Sequence, residues 1–170
     1  MKTIVAASLL ACAGAANGQL ICDLQDLHPT FQTAGSGAAF LTGPQSAVVI
    51  GDDSGILGSI NQICVVAPTA GDFCFDWAYF SSDSGCFDTG FMSLNGSVFT
   101  LACNTSAPTG GFVQISANAG DIFCFGVWSA DGIFGPGTLE VSNFIFKKIP
   151  APGSLALIGA AGLLAVRRRR

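Results

Sequence analysis

The chain has 170 residues, of which half are hydrophobic and only 11% charged, with 22 Gly and 14 Phe. All eleven acids lie between Asp23 and Glu140, and the only bases between Lys2 and the terminal Arg block are Lys147 and Lys148. That balance excludes a nucleic-acid surface, which needs clustered Lys and Arg to neutralise phosphates. It suits a bound divalent cation better. The scarcity of Glu, Lys and Arg in the middle also favours strands and turns over helices.

At the N-terminus, Met1-Lys2-Thr3 is a short basic segment, followed by the apolar run Ile4–Ala13. Ala16-Asn17-Gly18 then places small residues for cleavage before Gln19. The run is too short to span a bilayer, so residues 1–18 read as a signal peptide. Residues 19–148, about 130 in number, make one domain with a real core.

Within that domain, clusters of Gly, Pro, Asn, Asp and Ser separate short runs of Phe, Val, Ile and Thr. The pattern predicts an all-β fold: an antiparallel β-sandwich or jelly-roll of about eight strands. The expected strands are Ala47–Ile50, Ile60–Val66, Phe73–Phe80, Gly90–Leu94, Ser97–Ala102, Phe112–Ser116, Ile122–Trp128 and Thr138–Phe146. A less regular one is expected between Phe31 and Leu41. The clearest is Asp72 to Phe80, where Phe73, Phe75, Trp77 and Tyr79 alternate onto one face. Four rings on one face are core in the first instance, and a sugar-stacking platform in the second. The segment Ala119–Phe125 echoes Ala70–Phe75, with Phe123, Phe125 and Val127 on one face and Cys124 on the other.

Loss of the leader leaves Cys22, Cys64, Cys74, Cys86, Cys103 and Cys124. An even number in an exported domain points to disulfides. Spacing does not choose among the pairings. Matching strand positions suggest Cys74–Cys124, with Cys86–Cys103 and Cys22–Cys64 as the nearest remaining neighbours. No C-x-x-C occurs and His28 is the only His, which argues against zinc.

Loop acids carry what chemistry there is. Asp52, Asp53, Asp83, Asp88 and Asp131 sit in turn-like segments, and Asp76 falls inside a predicted strand. Hard oxygen ligands of this kind suit Ca²⁺. Asp also caps and shapes turns without binding anything. A hydrolase would need His28 or a distinguishable pair of acids, and neither stands out. No catalytic residue is expected.

The C-terminus reads Ile149-Pro150-Ala151-Pro152-Gly153, then an apolar run from Ser154 to Val166, then Arg167, Arg168, Arg169 and Arg170. As a helix the 13-residue run is ~20 Å long, short of a ~30 Å hydrocarbon core but able to span with snorkelling Arg side chains. The Arg block would stay inside and the domain outside. Residues 149–170 resemble the PEP-CTERM sorting signal, in the variant with Pro-Ala-Pro-Gly in place of Pro-Glu-Pro. The resemblance implies an exosortase-type sorting protease as partner and transient membrane anchoring by the helix. Upstream, Gly71–Trp77, Asp83, Asp88, Leu94-Asn95-Gly96, Ala119–Phe125 and Leu139–Phe144 resemble the β-sandwich domain that often precedes such tails, although its paired Cys depart from the pattern. A looser resemblance to CUB-type modules rests on architecture alone. Together these imply a cell-surface or extracellular-matrix protein with a structural or adhesive role beside extracellular polysaccharide. A calcium-assisted carbohydrate-binding module is the alternative.

Overall fold

The computed structural model describes residues 21–83, 85–103 and 107–149. The expected leader, the Pro150–Gly153 motif, the apolar run and Arg167–Arg170 lie outside these residues. Among the described residues no helix is long and apolar enough to cross a membrane.

The described residues form eleven strands: β1 (Ile21–Asp23), β2 (Thr30–Gln32), β3 (Ala38–Gly43), β4 (Ser46–Ile50), β5 (Ser59–Val66), β6 (Gly71–Phe80), β7 (Asp88–Leu94), β8 (Ser97–Cys103), β9 (Thr109–Ala117), β10 (Ile122–Ser129) and β11 (Thr138–Lys148). Among the described residues a single 3-10 turn, Gln25–Leu27, is the helical content, and it ends at an exposed His28 in the left-handed region. All eight expected strands are present, most of them a residue or two longer. The irregular Phe31–Leu41 segment divides into β2 and β3, and β1 is additional.

The strands build two antiparallel sheets. One runs β3-β4-β11-β6-β9, with β1 also paired to β11. The other runs β2-β5-β10-β7-β8. Strand β11 explains the arrangement of the first sheet. Its first half, Thr138–Val141, pairs with β4. A bulge between Ser142 and Ile145 follows, and its last part pairs with β1. Asn143 sits in the bulge at φ 52, a conformation that Asn tolerates better than most residues. The β7–β8 hairpin uses Asn95-Gly96, both at positive φ (50 and 80), as a two-residue primed turn requires.

The inward faces pack as the alternation predicts. Phe73 and Phe75 of β6, Phe144 and Phe146 of β11, and Phe123 and Phe125 of β10 are all fully buried. Phe73 stacks on Phe123 across the sandwich with ring centroids 4.8 Å apart, and Phe75 on Phe144 at 5.8 Å. Four of the rings therefore form the wall of one sheet and two that of the other, and their burial is the main stabiliser. The echo between Phe73–Phe75 and Phe123–Phe125 is thus two strands facing each other across one core. Tyr79 is buried too, and Gly90 makes room for it: a Cβ there would lie 2.7 Å from the Tyr79 ring.

The same geometry corrects the cysteine pairing. Phe73/Phe75 and Phe123/Phe125 point inward, so Cys74 and Cys124 point outward on opposite sheets and cannot meet. Cys124 instead bridges Cys64, its direct cross-strand partner on β5. This also rules out Cys22–Cys64. Cys22 is fully buried in the core opposite Phe146. Cys86–Cys103 forms as expected. Cys74 is a free, buried thiol, and burial pushes its pKa up.

Candidate functional site

The six expected cation-binding acids do not gather at one place. Asp52, Asp53, Asp83, Asp88 and Asp131 lie in or beside the loops at one end of the sandwich, whereas Asp76 lies mid-strand on β6. Among the described residues no group of three or more His, Cys, Asp or Glu could hold a metal between them. The loop acids are largely engaged in shaping their own turns. Asp53 Oδ1 accepts from the Gly135 amide at 3.0 Å and Asp131 Oδ1 from the Ile133 amide at 3.3 Å. Ser81 Oγ donates to Asp88 Oδ2 at 3.3 Å and accepts from the Asp83 amide at 3.2 Å. Asp88 is buried, and burial raises its pKa despite hydrogen bonds from Ser129, Ser81 and the Gly137 amide; the nearby Asp83 adds to the rise. Burial also raises the Tyr79 hydroxyl, with Asp88 contributing.

Asp76 belongs to a different surface. Odd-numbered β6 residues from Phe73 to Tyr79 turn toward the core, so Asp76 and Ala78 face outward from the six-stranded sheet. The register places Glu140 opposite Ala78, and Ser142 and Phe112 on either side of Asp76. On the far side of β11, Val48 faces Glu140, and Phe40 faces Val48. Two rows thus cross the sheet, Phe40-Val48-Glu140-Ala78-Gly110 and Ser142-Asp76-Phe112. Between them lies an open depression of about 350 Å³ lined by Thr42, Ser46, Val48, Asp76, Ala78, Glu140 and Ser142.

Small residues make this hollow. Ala78 and the serines leave space that larger side chains would fill; Phe40 (44% exposed) and Phe112 (62% exposed) lie on the outer strands beyond it and do not line it. They sit on β3 and β9, four strand spacings or ~19 Å apart across the sheet. Asp76 is held in place from the bulge: Asn143 Nδ2 donates to its Oδ2 at 2.7 Å. The left-handed Asn143 thereby orients a carboxylate on the floor of the hollow.

Sequence reasoning singled out Asp76 but missed Glu140, Ser142, Phe40 and Phe112. The signal for Phe112 was available. It alternates with Val113 on a Gly-flanked strand, so it had to face away from the core. Glu140 alternates with Leu139 and Val141 in the same way. What sequence does not supply is the strand order that brings them together.

No family model matches the chain, and no curated protein matches it. Among solved structures, a family 35 carbohydrate-binding module from Clostridium thermocellum aligns at 17% identity over 72% of this chain and 96% of that one, TM-score 0.36. Xyl-CBM35, in complex with a glucuronic acid containing disaccharide, aligns at 15% identity over 73% and 93%, TM-score 0.42. A carbohydrate-binding module of Cellvibrio mixtus lichenase 5A, in complex with cellotriose, aligns at 13% over 77% and 97%, TM-score 0.35. Alignments at this level identify neither a family nor a ligand.

Proposed function

We propose that this chain is a non-catalytic module that binds a neutral polysaccharide through the outer face of its six-stranded sheet. The observation that carries the reading is the hollow between Phe40 and Phe112, floored by Asp76 and Glu140. Sugar rings present an apolar face and an equatorial fringe of hydroxyls. The exposed Phe rings supply flat apolar contact. The carboxylates accept from the hydroxyl fringe, the serine hydroxyls both accept and donate, and carboxylate hydrogen bonds are the stronger kind. The ~19 Å separation of the rings fits an extended oligosaccharide rather than one sugar unit. A neutral chain is favoured because two carboxylates on the floor would repel uronic acids.

No reaction is assigned to the site. In the same reading the chain is exported and handled through its C-terminal signal, so that it acts at the cell surface or in the matrix. The Cys64–Cys124 and Cys86–Cys103 bridges support an oxidising compartment. Intact-mass analysis of the chain from its native cell should find both ends removed; an unprocessed Arg170 on released protein would refute the export and sorting part.

Binding is tested by calorimetric titration with neutral β-glucan and xylan oligosaccharides and with a uronic acid polymer. The expected result is binding of a neutral chain that weakens at least ~10-fold in Phe112→Ala and in Asp76→Asn. Equal affinity in wild type and both folded variants would move the site elsewhere, and absence of binding to any glycan would end the proposal.

A further inference from the structure

The strands that end the two sheets differ in how they meet solvent. β1 and β2 have three residues each. β3 has six, and its register shifts between Leu41 and Gly43. In β8 the register shifts between Gly90 and Phe91, which leaves Leu101 outside the ladder, and the last residue of the strand is bridged to Cys86. Short length and bulges are devices that keep a sheet edge from pairing with another chain. β9 has neither. Its nine residues pair with β6 in one unbroken register, from Thr109 opposite Tyr79 to Ala117 opposite Gly71. The strand also carries no charge and no Pro, which are the other common devices. Among the described residues β6 is its only partner strand, so along its other edge alternate N–H and C=O groups point out of the sheet.

This edge is fixed rather than loose. A Cβ at Gly110 would lie 2.5 Å from the Trp77 carbonyl oxygen, and one at Gly111 would lie 3.2 Å from Trp77 Nε1, so both glycines serve the close fit of β9 on β6. On the outer face Gln114 Nε2 and Ser116 Oγ donate to Asp72 at 2.8 and 2.7 Å and tie β9 back to its neighbour. The segment is also complementary to itself. In an antiparallel pair about a two-fold axis at Val113, Phe112 stands opposite the partner's Gln114 and Gly110 opposite the partner's Ser116, all on the outer face. On the inner face Gly111 stands opposite the partner's Ile115 and Thr109 opposite the partner's Ala117. Large side chains thus meet small or slender ones, and all nine residues pair. A slip by one residue would set outward side chains against inward ones, and a slip by two would leave two residues of each strand unpaired. Asp72 and Asp76 are the charges of the adjoining strand. The same acids of a second copy would be three strand spacings away, ~14 Å, which exceeds the ~8 Å screening length of physiological salt.

We propose that β9 is a dimerisation edge: it pairs antiparallel with β9 of a second copy of this chain about a two-fold axis at Val113, and so joins two six-stranded sheets into one. The axis is perpendicular to the sheet, so both outer faces lie on the same side. Phe112 and the partner's Phe112 become diagonal neighbours, ~7–8 Å apart. Under the glycan reading the two hollows then share one continuous face, but the pairing itself does not rest on that reading.

The test is sedimentation equilibrium of the protein purified from its native cell, from ~1 μM to ~1 mM, with amide hydrogen exchange at both ends of that range. The mass should double reversibly, and exchange within Thr109–Ala117 should slow as concentration rises. Two double variants read the register. Phe112→Lys/Gln114→Lys sets Lys opposite Lys on both sides of the axis and should weaken the dimer at least ~10-fold. Phe112→Lys/Gln114→Glu sets Lys opposite Glu and should associate at least ~10-fold more tightly than the first variant. If either variant fails to fold, the mass and exchange of the wild type decide. A wild type that stays monomeric throughout, a dimer whose exchange slows elsewhere, or a double-Lys variant that associates as tightly as wild type would each overturn the proposal. Mass is read without any glycan, so this outcome stands apart from the fate of the sugar-binding reading.

Discussion

The strands of the six-stranded sheet carry six charged residues, Asp23, Asp72, Asp76, Glu140, Lys147 and Lys148. Those of the five-stranded sheet carry one, Asp88, and it is buried. The outer face of the second sheet is instead built from Ile60, Gln62, Val66, Thr89, Phe91, Ser93, Ile122, Trp128 and the Cys64–Cys124 bridge. One face therefore offers acceptors and exposed rings around a hollow, and the other offers a neutral surface held covalently. The contrast teaches that the two sheets share a core but divide the labour. On the proposed reading the charged sheet is where a hydroxyl-rich ligand finds partners, while the neutral sheet carries the Cys64–Cys124 and Cys86–Cys103 bridges.

The division can be broken most forcefully at the two bridges. Cys64 and Cys124 are 60 residues apart in sequence, and Cys86 and Cys103 are 17 apart. Closing the longer loop restricts the unfolded chain more, so the double change Cys64→Ser/Cys124→Ser should cost ~4 kcal/mol and Cys86→Ser/Cys103→Ser ~3 kcal/mol. Denaturant midpoints at equal m-value would show the order. If the Cys64–Cys124 pair proved the cheaper to remove, loop length would not set the order of the two bridges. Glycan affinity of whatever stays folded should be unchanged in both, because neither bridge touches the hollow.

A smaller effect sharpens the same contrast. Trp128 is 39% exposed on the neutral face and Phe112 62% exposed on the charged one. Trp128→Ala should leave glycan affinity within about twofold, where Phe112→Ala lowers it at least ~10-fold, a difference of ~1.4 kcal/mol. A reversal in titrations of the two variants would transfer the ligand to the five-stranded sheet. Both changes should leave thermal midpoints within a few degrees, since both rings are substantially in water.

Much of this layout was legible in the residues. The alternation from Asp72 to Phe80 announced β6, its inward rings and the outward Asp76, and the same logic partitioned β10. Strand β1 was not legible, because Ile21-Cys22-Asp23 has no pattern of its own and becomes a strand only by pairing with Ile145–Lys147. The Cys64–Cys124 bridge was hidden for a related reason. Similar local positions suggested Cys74 for Cys124, yet disulfide partners are set by which strands are neighbours, and β5 beside β10 is a fact of topology. The acids show both outcomes. Turn chemistry correctly placed Asp52, Asp53 and Asp131 in loops, but no local signal distinguishes Asp53, which is consumed by the Gly135 amide, from Asp52, which keeps one oxygen unmatched.

The smallest effect concerns the one charge of the neutral sheet. Asp88 is held above the ordinary carboxylate value of 3.8, first by burial and then by the neighbouring Asp83, against hydrogen bonds from Ser129, Ser81 and Gly137. A raised folded-state value means that the fold prefers the protonated acid. The stability this group contributes is therefore complete below 3.8 and declines as pH rises through its higher folded value. Asp52 works the other way. Burial alone would raise its value, but hydrogen bonds from Ser54 and Ser36 outweigh it and lower it, so its contribution is present above 3.8 and fades as pH falls through the lower folded value. Wild type should carry both slopes, acid-sensitive through Asp52 and weakly base-sensitive through Asp88. Asp88→Asn keeps an acceptor for Ser129 and Ser81 and cannot ionise, so thermal melts across the acid range should lose the decline above 3.8 and keep the loss at lower pH. Melts of Asp88→Asn that still fell as pH rose from 3.8 toward neutrality would show that the penalty belongs to another group, and the neutral sheet would then have no charge of its own that matters.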